Sequence, residues 1–367
     1  MKNKKIQFIL KHRDNKFDCD PEYTNTKLSS GLFNSARFVQ EMLRDVLEYE
    51  TEIVHAEDNN SIDRLVTKFK PDIVIIEAYW VVPEKFEILH KLHPKITWII
   101  RNHSAMPFAA TEGIIMDWSL RYMDMKNVIL ACNDVRTDRE FKKLIKIYKP
   151  DWDEENINQR CIHLPNYYPI HYNPHSNRQK EESIDIGCFG AIRPLKNQLI
   201  QAVAAIEYAD SIGKHLRFHI NGTRIEGRGD AIINNIRALF KLIPHELVEH
   251  PWMPHEKFME LVRQMDIGLQ VSYTETFNIV SADMIMNGVP VIVSPDIKWV
   301  SSLFYADPNE SVNIVKALSR AEHINRFFNF LHKYFHITHP NIKALHRYNK
   351  NSIKNWGRVI EGNISIL

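Results

Sequence analysis

Short apolar runs alternate with segments of helical periodicity along the whole chain. In the first half, the runs that predict β-strands are residues 5–10, 52–55, 72–77, 96–100, 128–132 and 161–164. Segments with helical spacing of apolar residues separate them, for example 32–47, 62–69 and 83–93. Such alternation is typical of a parallel sheet, because parallel neighbouring strands need helical crossover connections.

The alternation pauses in a polar, proline-containing stretch, 165–183, and then restarts. The second set of strand-like runs is 184–189, 216–220, 247–250, 267–271 and 289–293. The pattern therefore predicts an α/β protein with two doubly wound, Rossmann-like domains. Two such domains are expected to face a central cleft, because open parallel sheets bind ligands at the carboxyl ends of their strands.

We place the domain boundaries by the same pattern. The first domain is expected to span 1–170, the linker 171–183 and the second domain 184–348. From about residue 311 onward the pattern is helical. The last helix, about 349–367, is expected to pack back on the first domain.

Composition limits the function classes. The chain has 367 residues, 44% of them hydrophobic and 25% charged, which suits a globular protein of two domains. A formal net charge of +2 does not by itself predict a polyanionic partner. No stretch approaches the roughly 18–20 apolar residues of a membrane span. The four cysteines lack paired spacing and favour thiols in a reducing compartment, so we expect a cytoplasmic protein.

The first motif with chemical content is 187–197, Gly-Cys-Phe-Gly-Ala-Ile-Arg-Pro-Leu-Lys-Asn. A buried strand ends near Gly190, and a helix is predicted to begin near Pro194. Lys196 would then lie in the first helical turn, where the helix dipole disfavours a cation by about 0.3–1 kcal/mol. An anion docked on the helix amides would explain a lysine at this position, and Arg193 could reach the same anion. The alternative is two solvated charges on a loop.

The second motif, 272–292, reads as a strand end, a loop, a helix and another buried strand. Glu275 and Asp283 lie in it with seven residues between them, so a helical rise predicts about 12 Å between their carboxylates. That separation is too long for a shared acid–base pair but suits the two ends of an elongated ligand. The intervening amides of Thr276, Phe277 and Asn278 are expected to bind phosphate oxygens at the helix start.

Together the two motifs resemble the retaining GT-B glycosyltransferases. That signature is a glutamate, seven residues and a second glutamate ahead of a Gly-x-Pro-Val strand, with an Arg/Lys loop upstream. The resemblance implies that Glu275 contacts donor-sugar hydroxyls and Asp283 contacts ribose hydroxyls, while Arg193 and Lys196 neutralise the leaving diphosphate. Two features depart from it: Asp283 is one methylene shorter than glutamate, and Arg193 precedes Lys196 by three residues where five is common.

The resemblance extends into other loops. It implies that Gly31, which opens a helix after the first strand, lies against the diphosphate. It also implies that His103, at a strand end, touches the donor sugar; the alternative is a structural histidine. The backbone of Met253, beside Trp252, would meet the nucleobase, unless this loop serves packing only.

The activity implied by the resemblance is a retaining, nucleotide-sugar-dependent hexosyl- or pentosyltransferase. Glu275, His103, Arg193 and Lys196 would form its catalytic set. A UDP-sugar is the expected donor, with no obligatory metal. Two strings match the Asp-x-Asp of metal-dependent GT-A enzymes, 18–20 and 151–153, but neither directly follows a buried strand. We interpret both as chance.

The acceptor side offers one charged helix, predicted over 135–149. Its basic face carries Arg139, Lys142, Lys143 and Lys146, and its apolar face carries Phe141, Leu144, Ile145 and Tyr148. A solvated amphipathic helix, contact with nucleic-acid phosphates and contact with an anionic membrane all fit this pattern. The absence of additional aromatic residues favours phosphates. Asp14, near the end of the first strand, is expected to orient an acceptor hydroxyl or to lie in a turn.

Segments 76–86 and 101–108 resemble GT-B proteins encoded by tailed bacteriophages, several of which place sugars on 5-hydroxymethyl pyrimidines of phage DNA. The resemblance implies that acceptor, double-stranded DNA as a partner, and the host cytoplasm as the location. Transfer to a surface polysaccharide, lipid or protein is the alternative activity. A sugar- or nucleotide-binding GT-B module without turnover is a third hypothesis, against which Arg193, Lys196 and Glu275 argue.

Overall fold

The computed structural model describes residues 2–12, 30–172, 181–335 and 338–361. It divides into two compact units, the first formed by Met1–Pro169 with Tyr348–Leu367 and the second by Ile170–Arg347. Each unit contains one parallel sheet. The predicted α/β fold class with two Rossmann-like domains is confirmed.

Unit 1 has a six-stranded sheet in the order β2-β1-β3-β4-β5-β6. Its strands are β1 Lys2–Lys11, β2 Tyr49–Ala56, β3 Ile73–Glu77, β4 Thr97–Asn102, β5 Val128–Cys132 and β6 Cys161–His163. Strands β3 and β5 are buried at every position. Continuous apolar runs such as these form parallel strands because helices cover both faces of the sheet.

Helices follow the strands of unit 1. They are α1 Gly31–Asp45, α2 Ser61–Phe69, α3 Pro83–Leu92, α4 Met106–Ala109, α5 Ile115–Tyr122, α6 Val135–Tyr148 and α7 Glu154–Arg160. Helices α1, α6 and α7 begin at polar side-chain caps. Ser30 Oγ accepts the Phe33 amide at the start of α1, and Asp153 accepts the Asn156 amide at the start of α7. The second Asp-x-Asp string therefore has a capping role in which Asp153 stabilises α7.

The last described helix, α13 (Pro340–Ile360), contributes its residues from 348 onward to unit 1. The Trp356 indole is fully buried and donates to the Pro165 carbonyl at 2.8 Å. Ser352 Oγ donates to the Asn166 carbonyl at 2.7 Å. The first residues of the polar stretch 165–183 are thus packed inside unit 1.

Unit 2 has a five-stranded sheet in the order β11-β10-β7-β8-β9. Its strands are β7 Ser183–Gly187, β8 His215–Asn221, β9 Glu246–His250, β10 Ile267–Gln270 and β11 Val291–Val293. Its helices are α8 Gln198–Ser211, α9 Asp230–Phe240, α10 His255–Val262, α11 Ile279–Met286 and α12 Ser311–Phe335. All eleven predicted strands form, and the helical prediction beyond residue 311 is confirmed by α12 and α13.

Because every strand pair in unit 2 is parallel, the loops that leave the carboxyl ends share one edge of the sheet. These are the loops after β7, β8, β9 and β10. Within the described ranges, no helix has both the length and the apolar character needed to cross a bilayer.

Candidate functional site

The loop after β7 carries Arg193 and Lys196, but its local structure differs from the prediction. The prediction that a helix starts near Pro194 is wrong. Residues 194–196 form a 3-10 turn, and α8 begins only at Gln198. Asn197 interrupts the chain with a left-handed backbone, φ 59°. Asparagine tolerates that conformation, and its Nδ2 donates to the carbonyls of Val271 and Pro308. Lys196 is therefore positioned by the turn and not by a helix dipole.

Lys196 and Glu275 form an ion pair across two loops. The Lys196 ammonium donates to Glu275 Oε1, which also accepts from Ser272 Oγ at 3.2 Å. The two side chains are only 14% and 9% exposed. Burial alone would raise the pKa of Glu275, but the positive charges of Lys196 and Arg193 hold it below its ordinary value. The carboxylate is therefore ionised at neutral pH.

Two residues that the sequence motifs did not include complete this group. Arg224 Nε donates to Glu226 Oε1 at 2.7 Å, and Arg193 Nη1 lies 3.6 Å from Glu226 Oε2. Burial opposes ionisation of Glu226, yet Arg224, Arg193 and Lys196 lower its pKa. We call Arg193, Lys196, Arg224, Glu226 and Glu275 the charge cluster.

The charge cluster contains three cations and two carboxylates, so its local charge is positive by one. An anion that enters it replaces carboxylates as the partner of the guanidinium and ammonium groups. Arginine forks match phosphate oxygens, and lysine supplies a compact charge. The arrangement is suited to a multiply charged anion such as a diphosphate.

The loops after β7 and β8 are joined by backbone pairing. The Ile192 amide donates to the Arg224 carbonyl at 2.8 Å, and the Glu226 amide donates to the Ile192 carbonyl at 2.9 Å. This pairing carries Arg224 and Glu226 to Arg193. No local sequence pattern marks it, because the loops are about 30 residues apart and lack a repeating apolar period.

The loop after β10 differs from the prediction at the helix start. Helix α11 begins at Ile279, so the amides of Thr276 and Phe277 lie in the preceding loop and not in a helical turn. Asn278 is the N-cap, with φ 60°, and its Oδ1 accepts the Ser281 amide at 2.9 Å. The helical rise used for the separation of Glu275 and Asp283 therefore applies only from Ile279 onward.

The second predicted acid, Asp283, lies on α11 with a side chain 2% exposed. His255 Nε2, on the first residue of α10, lies 2.9 Å from Asp283 Oδ1. The sequence analysis did not identify His255. Its side chain is 21% exposed, so the imidazole is the accessible part of this pair.

The loop after β9 packs through its aromatic residue. The Arg224 guanidinium lies 4.4 Å from the centre of the Trp252 ring, and the Trp252 amide donates to Thr223 Oγ1 at 2.9 Å. This contact links the loop to the charge cluster by a cation–π interaction. Met253 follows in the same loop and is half-buried.

In unit 1, His103 belongs to a polar network at the carboxyl ends of β3 to β6. Its Nε2 is hydrogen-bonded to Glu77 Oε2, and its Nδ1 lies 3.4 Å from Asn133 Nδ2. Arg101 donates to Glu77 and, at 2.7 Å, to Asn166 Oδ1. Burial lowers the pKa of His103, although Glu77 opposes the effect, so the ring is neutral at pH 7.

The buried carboxylate of Glu77 is the anchor of this network. Burial would raise its pKa, but Arg101 and His103 lower it overall. The His103 side chain is 17% exposed, so the network fixes its orientation while part of the ring stays accessible. A histidine after a strand was visible in the sequence, whereas its partners Glu77 and Asn133, from neighbouring strand ends, were not.

Gly31 opens α1, as predicted. A Cβ built there would meet no atom within 4 Å, so the space beside this glycine is open. Asp14 and the first Asp-x-Asp string, 18–20, lie outside the described residues. Among the residues that are described, no group of three or more His, Cys, Asp or Glu side chains is arranged to hold a metal ion.

The basic face of α6 is largely engaged by neighbouring groups. Lys142 pairs with Asp138 at 3.0 Å, and Lys143 pairs with Glu140 at 2.8 Å. Lys146 donates to two main-chain carbonyls just beyond the helix. Arg139 is exposed. The charges that a phosphate backbone would need are thus mostly compensated within the helix and its end.

The apolar face of α6 agrees with the prediction except at its last residue. Phe141 and Ile145 are buried and Leu144 is half-buried. Tyr148 is 40% exposed and donates to Asp124 at 3.0 Å, so its assignment to the buried face was wrong. The physical reason is that its hydroxyl finds a carboxylate at the surface.

No protein-family model and no curated protein sequence matches the chain. Several solved structures do match it. A sucrose-phosphate synthase from Thermosynechococcus elongatus aligns with a TM-score of 0.66 and 12% identity over 98% of each chain. The Anabaena protein HepE, in complex with UDP, aligns with a TM-score of 0.54 and 12% identity over 99% of this chain and 100% of that one.

A third structure comes from work on enzymatic glycosyl transfer with retention by trehalose-6-phosphate synthase. It aligns with a TM-score of 0.57 and 11% identity over 84% of this chain and 77% of the other. These neighbours are GT-B proteins. At such low identity the likeness shows the fold, and the chain has the two-domain GT-B fold.

Proposed function

We propose that this protein is a glycosyltransferase that moves a sugar from a nucleoside-diphosphate sugar to a hydroxyl acceptor with retention. The observation that carries the proposal is the charge cluster of unit 2, where Arg193, Lys196 and Arg224 gather beside two carboxylates. The UDP in the HepE structure supports a UDP-sugar as donor. The trehalose-6-phosphate synthase of the same fold supports retention.

The chemistry follows from the charges. As the anomeric carbon–oxygen bond breaks, the bond's electron pair goes to the diphosphate, whose negative charge Arg193 and Lys196 stabilise. Fixed cations in a partly buried site stabilise developing charge without reorganisation. An oxocarbenium-like centre forms, and the acceptor hydroxyl attacks from the side on which the diphosphate leaves and gives its proton to an oxygen of that diphosphate. Positioning of the two substrates supplies the rest of the rate enhancement.

Glu275 is proposed to bind donor-sugar hydroxyls. Without ligand, its carboxylate and the Lys196 ammonium satisfy each other. When diphosphate takes the ammonium, the carboxylate becomes available to accept hydrogen bonds from the sugar. Thr276, Phe277 and Asn278, in the loop and cap that follow, are proposed to offer amides to phosphate oxygens, as the resemblance implies.

The remaining donor contacts rest on the resemblance. Gly31 is proposed to approach the diphosphate, a role for which the open space beside it leaves room. The Met253 backbone is proposed to meet the nucleobase. His103, neutral and oriented by Glu77, is proposed to contact the donor sugar.

The proposal is tested by incubating the protein with a panel of nucleotide-sugars and measuring nucleoside-diphosphate release. At least one donor is expected to be hydrolysed or transferred by the wild type. Lys196→Ala and Glu275→Ala are each expected to lower turnover by two orders of magnitude or more. Lys241→Ala, at an exposed lysine at the end of α9, is the matched control. Full activity of the Lys196→Ala/Glu275→Ala double variant would contradict the site.

For the acceptor we propose 5-hydroxymethyl pyrimidine bases of phage DNA, on the resemblance to phage-encoded proteins. The compensated charges of α6 make Arg139 the main candidate for a phosphate contact on that helix. Binding to hydroxymethylated duplex DNA across a salt series tests it, since phosphate contacts weaken steeply as salt rises. Absence of binding at low salt would favour a polysaccharide, lipid or protein acceptor.

A further inference from the structure

In the His255–Asp283 pair the histidine side chain is more exposed than the carboxylate, whereas an acid that binds a ligand is expected to be accessible itself. Asp283, the acid that the motif assigns to the ribose, has a side chain only 2% exposed. The imidazole of His255 lies 2.9 Å from its Oδ1 and is 21% exposed. A molecule that approaches this pair therefore meets the imidazole before it meets the carboxylate.

We infer that His255 is the group that binds the donor ribose hydroxyls, and that Asp283 is a positioning residue that orients the imidazole. The inference rests on the proposed nucleotide-sugar function and assigns the ribose contact within it. An aspartate reaches about 1.5 Å less far than a glutamate. The imidazole, held by that aspartate, extends the reach of the pair.

The hydrogen-bond chemistry of the pair is defined by the carboxylate. Because Asp283 Oδ1 is an acceptor, the His255 Nε2 that faces it carries the hydrogen. Ribose hydroxyls both donate and accept hydrogen bonds, so they can pair with an imidazole ring that the carboxylate holds in place.

Helices α10 and α11 are fixed to each other at a second point. Arg263 Nε donates to Asn287 Oδ1 at 2.8 Å, and Asn287 Nδ2 donates to the Asp283 carbonyl at 2.7 Å. The backbone of Asp283 is thereby tied to Arg263, the C-cap of α10, the helix that begins with His255. This second link fixes α10 relative to α11 and reduces the ordering that ligand binding requires.

The test compares UDP with 2′,3′-dideoxy-UDP in calorimetric titrations of the full chain. The wild type is expected to bind UDP about tenfold more tightly, the value of a hydrogen bond or two to the ribose. In His255→Ala the preference is expected to fall to about one, with little change in dideoxy-UDP affinity. Asp283→Asn, which removes the orienting anion but keeps the size, is expected to lower the preference as well.

Two further variants separate a ribose contact from a structural effect. His255→Gln keeps a polar side chain of similar length and serves if the alanine variant is unstable. His245→Ala breaks another His–Asp pair of unit 2, with Asp210 at 3.0 Å, which precedes β9 instead of following it. This control is expected to keep the wild-type preference.

Each outcome bears on the inference. A wild-type preference retained by both His255 variants would overturn the role of His255 while leaving nucleotide binding intact. Equal binding of the two probes by the wild type would overturn it too. A wild type that binds neither probe would overturn the donor site itself, and the inference with it.

Discussion

At the scale of single residues, Lys196 and Glu275 depend on each other for stability as well as for ligand binding. Removing one partner of a mostly buried ion pair leaves an uncompensated charge. Lys196→Met is therefore expected to lower the free energy of unfolding by about 3 kcal/mol. The Lys196→Met/Glu275→Gln double variant is expected to recover most of the lost free energy of unfolding, because neither charge of the pair is left. Urea unfolding measures both.

The coupling between the two substitutions decides this prediction. If the double variant is as unstable as the sum of the single variants, the two side chains do not interact in solution. A stable double variant without transferase activity would separate the structural role of the pair from its chemical one.

His339 provides a test by pH. Burial lowers its pKa to about 4, and its ring packs against Phe304 and Phe328. The unfolded chain, with a pKa of about 6.5, binds more protons between these values. Its contribution to stability is therefore complete above about pH 6.5 and lost as pH falls toward 4, by on the order of 3 kcal/mol.

Denaturant unfolding at several pH values measures this loss. His339→Leu is expected to flatten the acid dependence, although His250, whose pKa burial and the neighbouring His219 also lower to about 4, contributes with the same sign. His323→Leu, at an exposed histidine of α12, is the control. An unchanged pH dependence in His339→Leu would show that this ring accepts a proton in the folded state.

The residues that sequence analysis found, Arg193, Lys196 and Glu275, share a local signature. Each lies just after a buried strand, where a charged residue in an apolar context is conspicuous. Arg224 and Glu226 reach the charge cluster through a non-local loop pairing, and His255 is distinguished only by its contact with Asp283. Their roles depend on distances that no spacing along the chain encodes.

At the scale of elements, the left-handed Asn278 determines how α11 begins. Its Oδ1 caps the helix, and its Nδ2 donates to Gln270 Oε1 at 2.9 Å. Asn278→Ala is expected to lower the free energy of unfolding by about 2–4 kcal/mol, because the cap is lost and alanine tolerates a left-handed backbone less well than asparagine does. Asn278→Gly relieves the backbone strain and is expected to cost about 1 kcal/mol less.

Thermal or denaturant unfolding of the two Asn278 variants gives the comparison. Equal stabilities would mean that the backbone at 278 does not adopt the left-handed conformation in solution. The result also matters for function, since α11 carries Asp283 and follows directly from the Glu275 loop.

Strands were predictable and helix starts were not, for a physical reason. A buried parallel strand is recognisable as a continuous apolar run, such as Ile-Val-Ile-Ile in β3. The starts of α8 and α11 depend on Asn197 and Asn278 in left-handed conformations. Those conformations are fixed by side-chain bonds to residues up to 111 positions away, which the local sequence cannot display.

At the scale of the whole molecule, α13 connects the end of the chain to the sheet of unit 1. The fully buried Trp356 contacts Phe8 of the first strand, with ring centroids 6.4 Å apart, and bonds to Pro165. Trp356→Ala is expected to destabilise unit 1 by about 3–5 kcal/mol. Lys354→Ala, at an exposed position of the same helix, is expected to have little effect.

Denaturant unfolding with a probe in each unit measures the effect of Trp356→Ala. We expect unit 1 to unfold at a lower denaturant concentration than in the wild type, with the stability of unit 2 nearly unchanged. A loss confined to unit 2 would contradict the assignment of residues 348–361 to unit 1.

The most direct test of the account is a calorimetric titration of UDP into the wild type and into the Lys196→Met/Glu275→Gln variant, which is expected to be folded. We expect saturable, one-to-one binding by the wild type and a loss of affinity of at least tenfold in the variant. If UDP, ADP, GDP and CDP all fail to bind the wild type, or if the variant binds as tightly, the charge cluster is not a diphosphate site.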